Sequence, residues 1–133
     1  MANQLYPKGK EHMLRGEVAH LTANIRVFLV DAATYTFSSA HETLSQVPAG
    51  SRIANGLLAG KSATNGVFDA TNLTFVAVAG ATAEYLIIVM DSGTEATSWL
   101  LAFIDTAIGL PVTPTGGDIV VQWDDGAAKI YAL

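Results

Sequence analysis

A chain of 133 residues has the length of one domain and can bury about two-thirds of its unfolded surface without a metal or a disulfide. Half of its residues are apolar and 14% are charged, with seven Lys and Arg against twelve Asp and Glu and a formal charge of −5. That balance excludes the clustered cations of a nucleic-acid surface, the lack of cysteine excludes disulfides and thiol chemistry, and so thin a charged surface predicts apolar area buried against another protein.

In chain order, the first twenty residues hold no signal-peptide core, and no run anywhere reaches the ~18 apolar residues of a membrane span. Synthesis in the cytosol, with no membrane partner, is expected. Residues 4–6 are a weak strand candidate. "KGKEHMLRGEV" predicts about two helical turns ending before Gly16. Residues 1–23 together read as an N-terminal arm with a short helical turn, partly charged and able to extend to a neighbour. Residues 24–133 read as a single β domain. Residues 24–30 open it as a strand rich in β-branched and aromatic residues. "SSAHETLSQV" carries Ser39 followed by Glu42 in capping-box spacing, which predicts a short helix ended by Pro48. After the turn "VPAGS", residues 51–55 are a second weak strand, and Asn65-Gly66 marks a further turn.

The remaining strands are expected at residues 73–79, 83–90, 98–105, 118–124 and 128–133. The strand at 118–124 alternates, with Ile119, Val121 and Trp123 on one side and Val120, Gln122 and Asp124 on the other, the period of a half-buried strand. Asp125-Gly126 then predicts a two-residue hairpin. Tyr85 to Met90 and Trp99 to Ile104 differ, being apolar at nearly every position. They predict central strands whose outer face meets a helix, a loop or a neighbouring subunit. The expected fold is mainly β: an antiparallel β-sandwich, jelly-roll-like, with one or two short helices.

The candidate chemistry is sparse. Val89-Met90-Asp91-Ser92-Gly93 resembles the catalytic loop of a small dimeric aspartic protease, whose mechanism needs two carboxyls sharing a proton. The downstream bracing stretch is missing, since Ala107-Ile108-Gly109 follows too soon, and Asp, Ser, Gly and Thr are ordinary turn formers. "GLLAGKS" is one residue short of a phosphate loop and no helical pattern follows it. His41-Glu42 starts a zinc-helix motif whose second histidine position is Ser45. His12 and His20 lie eight apart with no third ligand in sequence, and read as solvated or interface residues. Trp99 and Trp123 could stack a sugar, but each shares a strand face with apolar neighbours and reads as core or interface. No catalytic, cofactor-binding or metal residue is expected, and no cofactor.

"LYPKGKEHMLRGEV", "IRVFLVDAATYTFSSAHETLSQVPAGSRIA", "GKSATNGVFDATNLTFVAVAG" and "GGDIVVQWDDGAAKIYAL" span nearly the whole chain. Together they resemble a group of small virion structural proteins of tailed bacteriophages. The markers are Tyr6-Pro7-Lys8-Gly9, the Val47-Pro48-Ala49-Gly50 turn before Arg52, and Asp124-Asp125-Gly126. The resemblance implies a non-enzymatic capsid decoration or cement protein, made in the bacterial cytoplasm and placed on the outer surface of the virion. Its partner would be the major capsid protein, with a homo-oligomer, a trimer first, as a natural extension. Tyr6, Lys8, Lys10, Arg15, Tyr85 and Trp99 are the expected partner contacts. A head-tail connector, tail or baseplate component is the alternative, and the aspartic-type protease a remote one.

Overall fold

The computed structural model describes residues 4–105, 111–121, 123 and 130–132. Its elements are β1 (Gln4–Leu5), α1 (Pro7–Leu14), β2 (Asn24–Val30), β3 (Arg52–Leu57), β4 (Ser62–Thr64), β5 (Val67–Asp69), β6 (Leu73–Phe75), β7 (Tyr85–Asp91), β8 (Trp99–Ile104), β9 (Ile119–Val121) and β10 (Tyr131–Ala132). Short 3-10 turns occur at Leu44–Gln46, Ala49–Ser51 and Glu95–Thr97. A five-stranded sheet runs in the order β1-β8-β7-β2-β3, a three-stranded one in the order β10-β5-β4, and β6 pairs with β9. The strand pairings are antiparallel, so the molecule is mainly β and sandwich-like with one short α-helix.

The five-stranded sheet is apolar on both faces because its three central strands lack alternation. Pairing Val27 with Ile88, Leu29 with Leu86 and Leu86 with Ile104 sets these side chains on one face. They pack with Phe68, Phe75, Val121, Trp123 and Tyr131 of the smaller sheets. Phe28, Ile87, Val89, Leu100 and Phe103 occupy the other face, under Tyr6, Tyr35, Leu44 and Val47. Each such side chain contributes about 1.5–3 kcal/mol by leaving water. The register shift at Ile88/Val89 sets Ala102 opposite Ile88 and Leu100 opposite Val89, and the intervening Leu101 packs on the first face.

Of the covers expected for the outer face of residues 85–104, a loop is the one observed: Leu86, Ile87, Ile88, Val89, Leu100, Leu101 and Phe103 are fully buried within this one chain. The segment that hides their second face, residues 31–50, has apolar residues at irregular spacing, so no period advertises it. Residues 4–14 are not a free arm. β1 pairs with β8, the Tyr6 amide donates to the Leu101 carbonyl at 3.0 Å, and α1 lies against β8. Pro7 suits the first helical turn, where its missing N–H costs nothing. Gly9 is required because a Cβ there would come within 2.2 Å of the Leu100 carbonyl oxygen.

The second helix becomes only a 3-10 turn, capped four residues later than expected. Gln46 Oε1 accepts from the Thr43 amide at 3.0 Å and also from the Glu42 amide. Asn65 and Gly66, at φ 54 and 76, make the tight turn between β4 and β5, a hairpin of three-residue strands not expected from the sequence. Asp125-Gly126, Ala107-Ile108-Gly109 and most of the expected strand 128–133 lie outside the described residues.

Candidate functional site

The polar groups with chemical potential gather where loops meet the edge of β8. Residues 42–44 run along this edge: the Leu100 amide donates to the Glu42 carbonyl, the Leu44 amide to the Ser98 carbonyl, and Thr43 bridges Trp99. β1 covers the rest of it. An edge that would otherwise template another strand is thereby closed.

His12 stands at the centre of this junction, 4% exposed. Its Nδ1 lies 2.6 Å from Glu17 Oε1 and its Nε2 2.8 Å from Glu42 Oε1. The ring stacks on Trp99, with centroids 3.8 Å apart and planes 8° from parallel. His12 thus ties α1, the following loop, residues 42–44 and β8 together. It is neither solvated nor at a surface, contrary to the sequence reading.

Arg52 makes a second clamp. Its Nε donates to the Val47 carbonyl at 3.0 Å, Nη2 donates to the Leu44 carbonyl at 2.8 Å, and Nη1 and Nη2 grip both oxygens of Glu95 at 3.0 and 2.9 Å. The guanidinium lies over Phe28, 5.8 Å from the ring centre. It holds Glu95 below the usual carboxylate range, by direct donation and then by charge. Only a planar fork of donors reaches carbonyls and carboxylate together.

A third group links the N-terminal segment to the covering loop. The Tyr6 hydroxyl is 2.7 Å from that of Tyr35, which is 2.9 Å from His41 Nδ1. Burial pushes the Tyr6 phenol far above its ordinary value, reinforced by Tyr35, and burial raises Tyr35 too. Burial lowers His41, which suits an unprotonated Nδ1 accepting from Tyr35. A parallel pair joins His20 Nε2 to the Tyr131 hydroxyl at 2.6 Å. There burial, with Lys61 adding, lowers His20, and burial raises Tyr131.

The Asp91-Ser92-Gly93 turn is occupied by structural bonds. Asp91 Oδ1 accepts from the Gly93 amide at 2.9 Å and Oδ2 from Arg26 Nε at 2.8 Å. Those donors, Gly93 first, hold the carboxyl below its ordinary range. Arg26 Nη1 also reaches Asn55 Oδ1 at 2.7 Å, so the cation spans β7, β2 and β3.

Of the expected partner contacts, Tyr6 is fully buried and belongs to the core, because its ring fills the second face of the sheet and its hydroxyl is satisfied inside. Tyr85 and Trp99 are half-buried, against Phe103 and His12 respectively. Lys8, Lys10 and Arg15 are exposed on or just after α1, with Lys8 3.4 Å and Arg15 2.6 Å from Glu11. Sequence reading missed the roles of His12, Glu42 and Arg52, whose partners lie far along the chain. Only Arg52 had a signal, as the residue closing the Val47-Pro48-Ala49-Gly50 marker. The chain matches no protein-family model and no curated protein.

Proposed function

We propose that this chain is a non-enzymatic structural protein of a tailed-bacteriophage virion, decorating and cementing the outer surface of the major capsid lattice. The observation that carries the reading is how its ionisable groups are used. Among the described residues each Asp and Glu is engaged within the chain, and each histidine braces a junction between segments. Such a body resists deformation and keeps its loops in place, as a lattice-binding protein requires. The resemblance of its sequence markers to virion structural proteins supplies the setting. Two of those markers coincide with tight structural demands, at Gly9 and at Arg52.

The test is the copy number of the protein in purified virions of its encoding virus, measured by quantitative mass spectrometry against the major capsid protein. A comparable copy number is expected. A handful per particle would move the protein to the neck, tail or baseplate, and absence from the particle would overturn the virion reading.

A further inference from the structure

The chain holds two Asn-Gly pairs, Asn55-Gly56 and Asn65-Gly66, and the fold treats them in opposite ways. An asparagine before glycine leaves its side-chain carbonyl open to the next backbone nitrogen, because glycine has no Cβ to shield it. Asn55 lies within β3, opposite Phe28 of β2, and its Oδ1 accepts from Arg26 Nη1 at 2.7 Å. The Leu58 amide donates to the Ile25 carbonyl at 2.8 Å, and amides two residues apart on a strand point the same way, so the Gly56 amide is turned into the ladder towards Val27. Carbonyl and nucleophile are both engaged there. Asn65 and Gly66, by contrast, form the exposed two-residue turn between β4 and β5, at φ 54 and 76. Neither the Asn65 side chain nor the Gly66 amide has a hydrogen-bond partner among the described residues. β4 is exposed at all three positions and pairs only with β5, so this turn opens at small cost, whereas freeing Gly56 means peeling β3 from the five-stranded sheet.

We propose that Asn65 is a site of spontaneous covalent modification, deamidation through a cyclic imide, and that the same fold protects Asn55. The Gly66 nitrogen, once deprotonated, attacks Asn65 Cγ. The new C–N bond closes a succinimide, and the side-chain nitrogen leaves as ammonia with the proton given up by the Gly66 amide. Water then opens the ring, the only co-reactant the sequence of steps needs. Breaking the bond from the Gly66 nitrogen to Cγ gives an ordinary aspartate; breaking its bond to the backbone carbonyl carbon gives isoaspartate, with the main chain routed through the side chain. Either product adds a negative charge to a chain of −5. Isoaspartate also lengthens the main chain by one carbon inside a two-residue turn, which upsets the pairing of Thr64 with Val67 and loosens Phe68 from His20 and Tyr131. The modification does not depend on the protein's role in the virion.

The experiment ages the purified full-length chain in mildly alkaline buffer, folded and in urea. Peptide mapping by mass spectrometry follows the amide-to-acid mass shift at each asparagine, and chromatography separates aspartate from isoaspartate peptides. In the folded protein, conversion at Asn65 should run at least about tenfold faster than at Asn55, the ratio set by an opening about 1.4 kcal/mol cheaper. In urea the two rates should converge, because the fold that separates them is gone. Asn65→Gly keeps a residue that accepts positive φ and removes the reacting amide, so its peptide should show no shift while circular dichroism certifies the fold. Equal rates at the two sites in the folded protein overturn the proposal. So does an Asn65 that converts in urea but not in the folded chain, since the turn would then hold the Gly66 nitrogen out of reach. Acidic protein accumulating in Asn65→Gly at the wild-type rate overturns the assignment to this residue.

Discussion

Replacing Gly9 by Ala sets two physical effects in opposition. In a helix interior the change ordinarily gains about 0.5–1 kcal/mol, since Ala has less backbone entropy to lose. At this position the new Cβ would stand 2.2 Å from the Leu100 carbonyl oxygen and 3.0 Å from the Leu101 Cα. Both atoms are backbone of β8, which is fixed by β7 on one edge and by β1 and Thr43 on the other, so the strand has nowhere to retreat. α1 must lift by roughly an ångström or more to restore ordinary contact. That motion pulls His12 from Trp99 and stretches its bonds to Glu17 and Glu42. Overpacking costs about 1–3 kcal/mol and weakened charge-assisted bonds about 1–2 more, leaving a net loss of about 1–4 kcal/mol after the propensity gain. For a domain of this size the melting temperature should fall by about 4–15 °C. Urea unfolding followed by far-UV circular dichroism, with calorimetry, measures both quantities. Gly50→Ala is the control, because nothing lies within 4 Å of its added Cβ, and its stability should stay within about 0.5 kcal/mol. A Gly9→Ala protein as stable as wild type, or more so, would refute the close approach and the docking of α1.

His12→Phe keeps a ring on Trp99 but loses both carboxylate contacts; since Glu17 and Glu42 are 43% and 40% exposed and can rehydrate, urea unfolding should show a loss of only about 1–3 kcal/mol. Arg52→Lys should cost a similar amount, about 1–3 kcal/mol, and speed proteolysis within residues 44–51, because an ammonium cannot reach two carbonyls and a carboxylate together. Tyr6, Tyr35 and Tyr131 all have phenols raised above the unfolded value of about 10, so the folded state keeps protons that the unfolded state loses. Their contribution is complete below about pH 10 and lost as pH rises further; urea midpoints should fall steeply there, and less steeply in Tyr6→Phe. Asp91 is depressed, so its contribution is present above about pH 4 and lost as pH falls through the folded value. Asp91→Asn should keep the bond from the Gly93 amide, lose about 1 kcal/mol at neutral pH with the Arg26 pair, and flatten the acid limb of the stability curve.

What the sequence revealed was set by the range of the interactions. β2, β7 and β8 were legible because continuous apolar runs can only be central strands, and the bounds at residues 24–30 agree with the structure. The identity of their second cover was not, because Tyr35, Phe37, Leu44 and Val47 sit in a loop that obeys neither a period of 2 nor one of 3.6. The cap of the 3-10 turn shows the same limit. Ser39-x-x-Glu42 and Thr43-x-x-Gln46 both have capping spacing, and the second forms because the Glu42 carboxylate is taken by His12, thirty residues away in sequence. A local pattern cannot register a competitor that far along the chain.

The same reasoning bears on what the sequence markers mean. Tyr6-Pro7-Lys8-Gly9 packs a ring under the sheet, starts a helix and brings backbone against backbone. Val47 is buried, its carbonyl receives Arg52, and the turn between them returns the chain into β3. These residues are constrained by the architecture, so a resemblance carried by them speaks first to architecture and only through it to a role. Lys10 and Leu14 are not so constrained: both are exposed, and neither side chain braces the described fold. Ala at both positions should therefore leave unfolding within about 0.5 kcal/mol of wild type, as for surface residues without special contacts. A loss beyond that would make α1's outer face part of the fold.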